Sequence, residues 1–251
     1  MRTAIVTGAA SGIGRATAER FGAEGCAVLC ADIEGCEATM EALHRQGVEA
    51  RAARVDVADE ASCAAMVDAA MGWTGRIDVA AANAGIMVEG DVLSVSIEDW
   101  HRVMAVNATG AFLTARATLP HLIETEGALV FTASTVGLSG MKGVAAYSAS
   151  KGAVVALTRQ LAADFADRRV RVNEVAPGAV RTPLSEDQFR ARARDDAHFD
   201  ELLDGVIARY PLSRWGTTRE IAETIAFLAS DRAGWITGQV IPVDGGLLET
   251  R

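Results

Sequence analysis

No apolar run in the 251 residues approaches the ~18 needed to cross a bilayer, so a membrane is not an expected partner. There is no basic stripe either. Lysine and arginine total 24 against 33 acidic residues, giving a net charge of −9 and a pI near 5.0. A nucleic-acid backbone is held by clustered positive charge, so that partner is not expected. The acidity suits a protein kept in solution. The four cysteines, Cys26, Cys30, Cys36 and Cys63, form no Cys-x-x-Cys pair, and His44 is the one histidine near them. That spacing argues against a zinc site, and no metal is expected. Free buried thiols in a reducing compartment fit better, which points to the cytoplasm. The chain runs straight into an apolar segment at Thr3, with no charged-then-apolar leader. Internal repeats, linkers and low-complexity segments are absent, so 1–251 reads as one domain.

Half of the residues are hydrophobic, yet aromatics make up only 5%. Small aliphatic residues dominate, a mix suited to helices packed tightly on a parallel sheet.

Taken in order, Thr3–Thr7 reads as a strand, Gly8-Ala9-Ala10-Ser11-Gly12-Ile13-Gly14 as a turn, and the segment to about Glu24 as a helix. Gly8 suits the tight turn. Gly12 and Gly14 let a phosphate and the neighbouring strand approach the backbone, and the helix N-terminus offers free N–H groups to a pyrophosphate. Cys26–Asp32 reads as a second strand ending in an acid, eighteen residues after Gly14. A carboxylate there can accept hydrogen bonds from ribose hydroxyls and would repel a 2′-phosphate. Neither Ile33 nor Ser11 is a cation that would offset this, so NAD rather than NADP is expected.

Further strands are expected at 52–57, 77–83, 127–133, 170–175 and 240–243, with helices at 34–46, 60–72, 98–120, 146–167 and 217–229. The strands are too apolar for a solvated face. Alternation with helices argues a doubly wound, Rossmann-like parallel sheet in three α/β/α layers. The exception is about 182–214, rich in charge, with apolar residues at 199–207 spaced for an amphipathic helix. It follows a strand end, where open α/β sheets bind ligands, and it reads as a lid over a substrate pocket; the alternative is a surface excursion without a role.

Tyr147 and Lys151 stand four apart on one of these helices, so a phenol and a cation share one face. Alone the pair is weak. Its company is Ser134 at the end of the strand 127–133, Asn107 in the helix 98–120, and the glycine turn.

Together Thr7-Gly8-x-x-x-Gly12-x-Gly14, Asp56, Asn83-Ala84-Gly85, Asn107, Ser134, Tyr147-x-x-x-Lys151, Pro177-Gly178 with Thr182, and Asp244-Gly245-Gly246 resemble the short-chain dehydrogenase/reductase family over nearly the whole chain. The resemblance implies that Tyr147 is the acid/base, that Ser134 holds the substrate oxygen, and that Lys151 binds the nicotinamide ribose and lowers the tyrosine pKa. It implies that Asn107 helps hold a water in a proton relay and that Asp56, with Val57, meets the adenine. Asn83, Ala84 and Gly85 would line the cofactor with Gly8, Ser11, Gly12, Ile13, Gly14, Asp32 and Ile33. Pro177, Gly178, Val180 and Thr182 would lie at its nicotinamide end. A homotetramer is implied, with the 98–120 and 146–167 helices between subunits. Two positions depart from the pattern: Ala82 where an asparagine is usual, and Thr132-Ala133-Ser134-Thr135 where Asn-x-Ser-Ser is usual. Glu174 also stands where a small or apolar residue is expected.

The residues carry the chemistry by themselves. A free tyrosine titrates near ~10, and a drop of ~3 units requires ~4 kcal/mol in favour of phenolate. One unit charge at ~4 Å and an effective dielectric of ~20 supplies about that much, so Lys151 is a sufficient cause. A Ser–His–Asp hydrolase is disfavoured because none of His44, His101, His121 and His198 has a Gly-x-Ser-x-Gly elbow to serve. The expected activity is NAD-dependent interconversion of a secondary alcohol and a ketone. Val136, Leu138, Met141, Ala179 and Leu184, with Ser134 and Tyr147, are the candidate pocket and suggest a mainly apolar substrate. The alternatives are a dihydrodiol or sugar-alcohol dehydrogenase, and an NAD(H)-sensing binding protein without turnover. An enoyl reductase is disfavoured, since those resemble a wider Tyr-to-Lys spacing.

Overall fold

A computed structural model describes residues 1–250. In chain order the elements begin β1 (Thr3–Thr7), α1 (Gly12–Ala23), β2 (Ala27–Asp32), α2 (Glu37–Arg45), β3 (Ala50–Arg54) and α3 (Glu60–Thr74). Next come β4 (Val79–Ala82), α4 (Ile97–Met104), α5 (Gly110–Thr125), β5 (Ala128–Thr132), α6 (Ala145–Phe165) and β6 (Arg171–Pro177). The chain closes with α7 (Pro183–Arg192), α8 (Asp196–Ile207), α9 (Thr218–Ala229) and β7 (Val240–Val243). The seven strands form one parallel sheet in the order β3-β2-β1-β4-β5-β6-β7. The order reverses between β1 and β4, and ligands of open α/β sheets bind at such a reversal, beyond the strands' carboxyl ends.

Alternation along each strand makes two cores. Ile5, Leu29, Leu129, Phe131 and Val172 face one way, against Met66 of α3, Leu122 of α5 and Leu161 of α6. Val6, Val28, Val130 and Val175 face the other, against Phe21 of α1, Leu43 of α2 and Ile225 of α9. Both faces are covered, which is why the strands read as continuous apolar runs rather than alternating ones.

Three expectations need correction. The helix expected over 98–120 is α4 and α5 joined through a π-helical turn at Ala105–Thr109. The backbone stays helical through the junction, but Asn107 is buried and bonds inward, and such single π turns are built by tertiary contacts rather than propensity. The strand expected over 52–57 is shifted back to Ala50–Arg54, leaving Asp56 and Val57 in the turn beyond it. β3 lies at the sheet edge and is mostly exposed, so no apolar pattern marked its ends. The segment expected to be a lid holds two helices rather than one. α7 is opened by Thr182, whose side chain accepts from Ser185 N while Ser185 Oγ accepts from Thr182 N, with Pro183 at the first helical position. No helix is long and apolar enough to cross a membrane among the described residues.

Candidate active site

The glycine turn leaves β1 at Gly8 and enters α1. Gly8 and Gly12 adopt φ of +67° and +55°, a region that disfavours side chains. A Cβ on Gly14 would stand 1.9 Å from the Gly8 carbonyl oxygen, so only glycine lets the helix pass beneath the turn. The turn is braced from three sides. Ala10 N donates to Asp32 Oδ2 at 2.9 Å, Thr39 Oγ1 donates to Ala9 O at 2.8 Å, and Asn83 Nδ2 donates to Thr7 O and Gly8 O at 3.3 and 3.4 Å. Thr7 Oγ1 in turn accepts from Asn83 N and Ala84 N. Asn83 therefore shapes the turn with its side chain, a role its place after β4 did not reveal.

These residues fit a dinucleotide. Ser11 makes no side-chain cap to α1, and the helix has no acid in its first turn, so its N–H groups are free for a phosphate. Asp32 ends β2 with its remaining carboxylate oxygen, Oδ1, accepting only the Glu34 amide at 3.1 Å. Ile33 beside it is exposed, and Ile13 packs against the core edge. Thr182 stands over the turn: a Cβ on Gly12 would meet its side chain at 3.5 Å. Arg54 was missed in sequence. It pairs in register with Asp32 and donates from Nε to Ile33 O at 3.1 Å, so a guanidinium flanks the end of β2. Asp56, in the next turn, is exposed and accepts from Ala58 N, while Val57 is buried against Gly110.

The second half of the site stands at the ends of β5 and β6. Ser134 follows β5 and opens a single 3-10 turn, Thr135–Gly137. That turn lies hard against α6: a Cβ on Gly137 would stand 2.8 Å from the Lys151 carbonyl carbon, and Ser148 Oγ donates to Val136 O at 2.5 Å. Ser134 thereby reaches hydrogen-bonding contact with Tyr147. Tyr147 keeps part of its surface open, but burial of the phenol pushes it up to about 12, which the Ser134 hydrogen bond opposes. Lys151 is buried, with Nζ donating to Thr132 O at 2.8 Å and lying 5.6 Å from the Tyr147 ring centroid. Burial lowers Lys151 to about 8. In the chain alone, desolvation of the phenolate thus sets the direction, the reverse of the lowering expected from Lys151.

Asn107 closes the site from the π turn. Its Nδ2 donates to Ile86 O and Ser150 Oγ, both at 2.9 Å, and its Oδ1 accepts from Ile86 N at 2.8 Å. Gly85 leaves room here, since a Cβ on it would meet Asn107 Oδ1 and Lys151 Nζ at 3.3 Å. Ser150, inside the Tyr147-to-Lys151 stretch, was not singled out as a partner of Asn107.

On the β6 side, Pro177 ends the strand and Gly178 packs against the Tyr210 ring. Ala179 N donates to Tyr210 Oη at 2.7 Å, and Val180 bridges to Gly216. A cavity of about 350 Å³ lies between α7 and the loop after β4, lined by Met87, Glu89, Leu184, Asp187, Gln188 and Ala191. It takes in Leu184 from the expected pocket. Leu138 and Met141 stand exposed on the segment before α6, and Val136 is buried in the 3-10 turn. Within the segment expected to be a lid, Arg192 Nε donates to Glu89 Oε2 at 2.7 Å, and Phe189 meets Trp215 edge-on at 5.9 Å. A larger cavity, about 780 Å³, opens far from this chemistry at the strands' amino ends. Two of its arginines, Arg2 and Arg171, are engaged with backbone carbonyls at the C-terminal end of α9, Leu228 to Ser230. No cluster of side chains suited to a metal occurs among the described residues.

A doubly wound sheet with a glycine turn at its reversal point and a Ser–Tyr–Lys group across from it defines a nicotinamide-dinucleotide oxidoreductase. Residues 8–248 match the family described as Enoyl-(Acyl carrier protein) reductase. The chain belongs to the short-chain dehydrogenase/reductase family. It is 40% identical to meso-2,3-butanediol dehydrogenase of Serratia marcescens, over 98% of this chain and 94% of that one. It is also 40% identical to 2-(R)-hydroxypropyl-CoM dehydrogenase of Xanthobacter autotrophicus, over 97% of each. The ligand-free aldohexose dehydrogenase of Thermoplasma acidophilum superposes with a TM-score of 0.88 at 33% identity, covering 98% of this chain and 93% of that one.

Proposed function

We propose that the chain is an NAD-dependent dehydrogenase that interconverts a secondary alcohol and a ketone, with Tyr147 as the acid/base. The observation that carries this reading is the convergence of Ser134, Tyr147, Lys151 and Asn107 at the strands' carboxyl ends, across from the glycine turn. Bound NAD would supply the hydride acceptor. Gly8, Gly12, Gly14 and the first turn of α1 would hold its pyrophosphate, Asp32 its adenosine ribose, Lys151 its nicotinamide ribose, and Val180 with Thr182 its carboxamide. In the oxidising direction Tyr147 takes the hydroxyl proton; in the reducing direction it returns it. Ser134 orients the substrate oxygen and hydrogen-bonds the phenol, and the Lys151 charge favours the phenolate. Asn107 would hold the water that passes the proton on. The positive charge of oxidised nicotinamide would add to that of Lys151 in lowering Tyr147 from its value in the chain alone.

A vicinal diol or hydroxy acid is the better candidate within this class. The cavity under α7 is not purely apolar, and Gln188 Nε2 is buried there without a partner among the described residues. That amide calls for an acceptor on the substrate, next to the apolar Met87 and Leu184. Names of relatives that act on a diol and on an aldohexose agree with this. Retention of both Tyr147 and Lys151 speaks against a sensing protein without turnover. A homotetramer is supported by the exposed Ile97 and Phe112 on α4 and α5, and a cytoplasmic setting by four free, buried cysteines, three of whose thiols burial raises to about 11 or 12.

The test is NADH formation from NAD across a panel of simple secondary alcohols, vicinal diols, hydroxy acids and sugars. Turnover on the diols or hydroxy acids supports the reading. Turnover with NADP alone would overturn the cofactor assignment, and tight NADH binding with no turnover on any class would favour the sensing protein.

A further inference from the structure

Glu174 lies in the middle of β6 and is completely buried. It pairs in register with Phe131 on one side and Val240 on the other, so its sheet neighbours offer no charge. It points toward α6. There Thr158 Oγ1 donates to Glu174 Oε2 at 2.8 Å, while Oε1 has no partner among the described residues. Thr158 follows Lys151 by seven residues, two helical turns, and both are buried on the same inner face of α6. Lys151 is the catalytic group whose charge acts on Glu174, and its ammonium is tied to the carbonyl of Thr132, the residue in register with Val175 beside Glu174.

A carboxyl in that position is costly and has no packing advantage over the small or apolar residue expected there. If ionised, one oxygen lacks a donor; if protonated, its O–H lacks an acceptor unless it turns toward Thr158. The cations that act on it both belong to α6: Lys151, and Arg159 at the exposed rim.

We propose that Glu174 is a positioning residue of the proton-transfer site: held by Thr158 below Lys151, its carboxylate keeps the ammonium charged and so sets the upper pH at which Tyr147 works. This rests on the roles given to Tyr147 and Lys151 above. Burial raises Glu174 to about 7, against the pull of Thr158, Lys151 and Arg159, and Glu174 in turn opposes the fall of Lys151 to about 8. The two groups therefore titrate as a coupled pair around pH 7 to 8. Removing the carboxylate lets Lys151 lose its proton at lower pH, and a neutral Lys151 leaves the phenol too weak an acid to become the base.

The experiment is the pH profile of NADH formation in wild type, Glu174→Gln and Thr158→Val, with kcat and KM resolved. In Glu174→Gln the alkaline limb of kcat moves to lower pH by half a unit or more, about a threefold loss on that limb, with KM for the alcohol within twofold. Thr158→Val retains the carboxyl but removes the donor that favours its ionised form. It shifts the limb the same way by less, and it decides the matter if the glutamine variant does not fold. Profiles that superimpose on wild type would overturn the proposal and leave Glu174 a purely structural residue. Tyr147→Phe separates the two levels. If that variant keeps turnover, the reading of the site fails; if it loses turnover while the profiles superimpose, only the role of Glu174 fails.

Discussion

Asn107 and Ser150 are joined across the site, Nδ2 to Oγ at 2.9 Å, so that the π turn between α4 and α5 is tied to the helix carrying Tyr147 and Lys151. The same asparagine holds both the amide and the carbonyl of Ile86. Asn107→Ala would strip Ile86 N and O of their partner and leave Ser150 Oγ with its bond to Tyr147 O alone. The expected result is a loss of roughly 2–4 kcal/mol in unfolding free energy and at least tenfold in turnover, whereas Ser150→Ala, which removes the bonds to Asn107 and to Tyr147 O but leaves the Ile86 pair intact, costs about 1–2 kcal/mol. Denaturant unfolding and steady-state kinetics on the two variants check this; equal effects would mean the link to Ile86 is unimportant.

Gly14 is fixed by the 1.9 Å approach of the Gly8 carbonyl to where its Cβ would stand. Gly14→Ala is expected to destabilise the fold by more than about 2 kcal/mol and to weaken NADH binding at least tenfold, because α1 must retreat from the turn. Thermal unfolding and fluorescence titration with NADH measure the two effects. Normal NADH affinity in the variant would show that the turn does not carry the pyrophosphate.

Asp32 and Arg54 stand in register at the ends of β2 and β3. With the carboxylate in place, a 2′-phosphate meets repulsion; with Asp32→Ala, Arg54 remains to attract it. The NAD-to-NADP ratio of kcat/KM is expected to fall by at least tenfold, and part of the fall comes from losing the Ala10 brace. Wild-type enzyme that turned over NADP faster than NAD would refute the role given to Asp32.

Glu174 also predicts a stability signature. Its folded-state pKa is raised from 4.5 to about 7, so between those values the folded chain holds a proton that the unfolded chain has released. Its contribution is therefore intact below pH ~4.5 and is lost as pH rises through about 7. Glu174→Gln removes that loss. Relative to wild type, the variant should gain stability between pH 5 and pH 8 by an amount on the order of 3 kcal/mol, at about 1.4 kcal/mol per unit. Melting curves at the two pH values test it, and a constant difference between the proteins would contradict it.

The strands of the sheet interior and the helix bearing Tyr147 and Lys151 were legible because burial on both faces writes long apolar runs, and because the glycine turn and the Tyr-x-x-x-Lys spacing are local. What escaped depends on contacts distant in sequence. The π turn at 105–109 has ordinary helical dihedrals and no composition of its own; it exists because Asn107 reaches Ile86 and Ser150. The partner of Glu174 is Thr158, sixteen residues away on another element, and only the register of β6 against α6 reveals it. Arg54 gained meaning only when β3 was set beside β2. α7, by contrast, carried a local signal in Thr182-Pro183-x-Ser185, hidden by the high charge of the segment that follows.

The most direct test of the account is turnover and NADH binding by Tyr147→Phe, measured on the alcohol that wild type oxidises. Removing one oxygen leaves α6 and its contacts in place, so the variant should bind NADH within about threefold of wild type and lose at least 10³ in kcat, as expected for an essential proton-transfer group within the ~10²–10⁴ range of acid–base effects. Turnover within tenfold of wild type would remove Tyr147 from the mechanism and contradict the account.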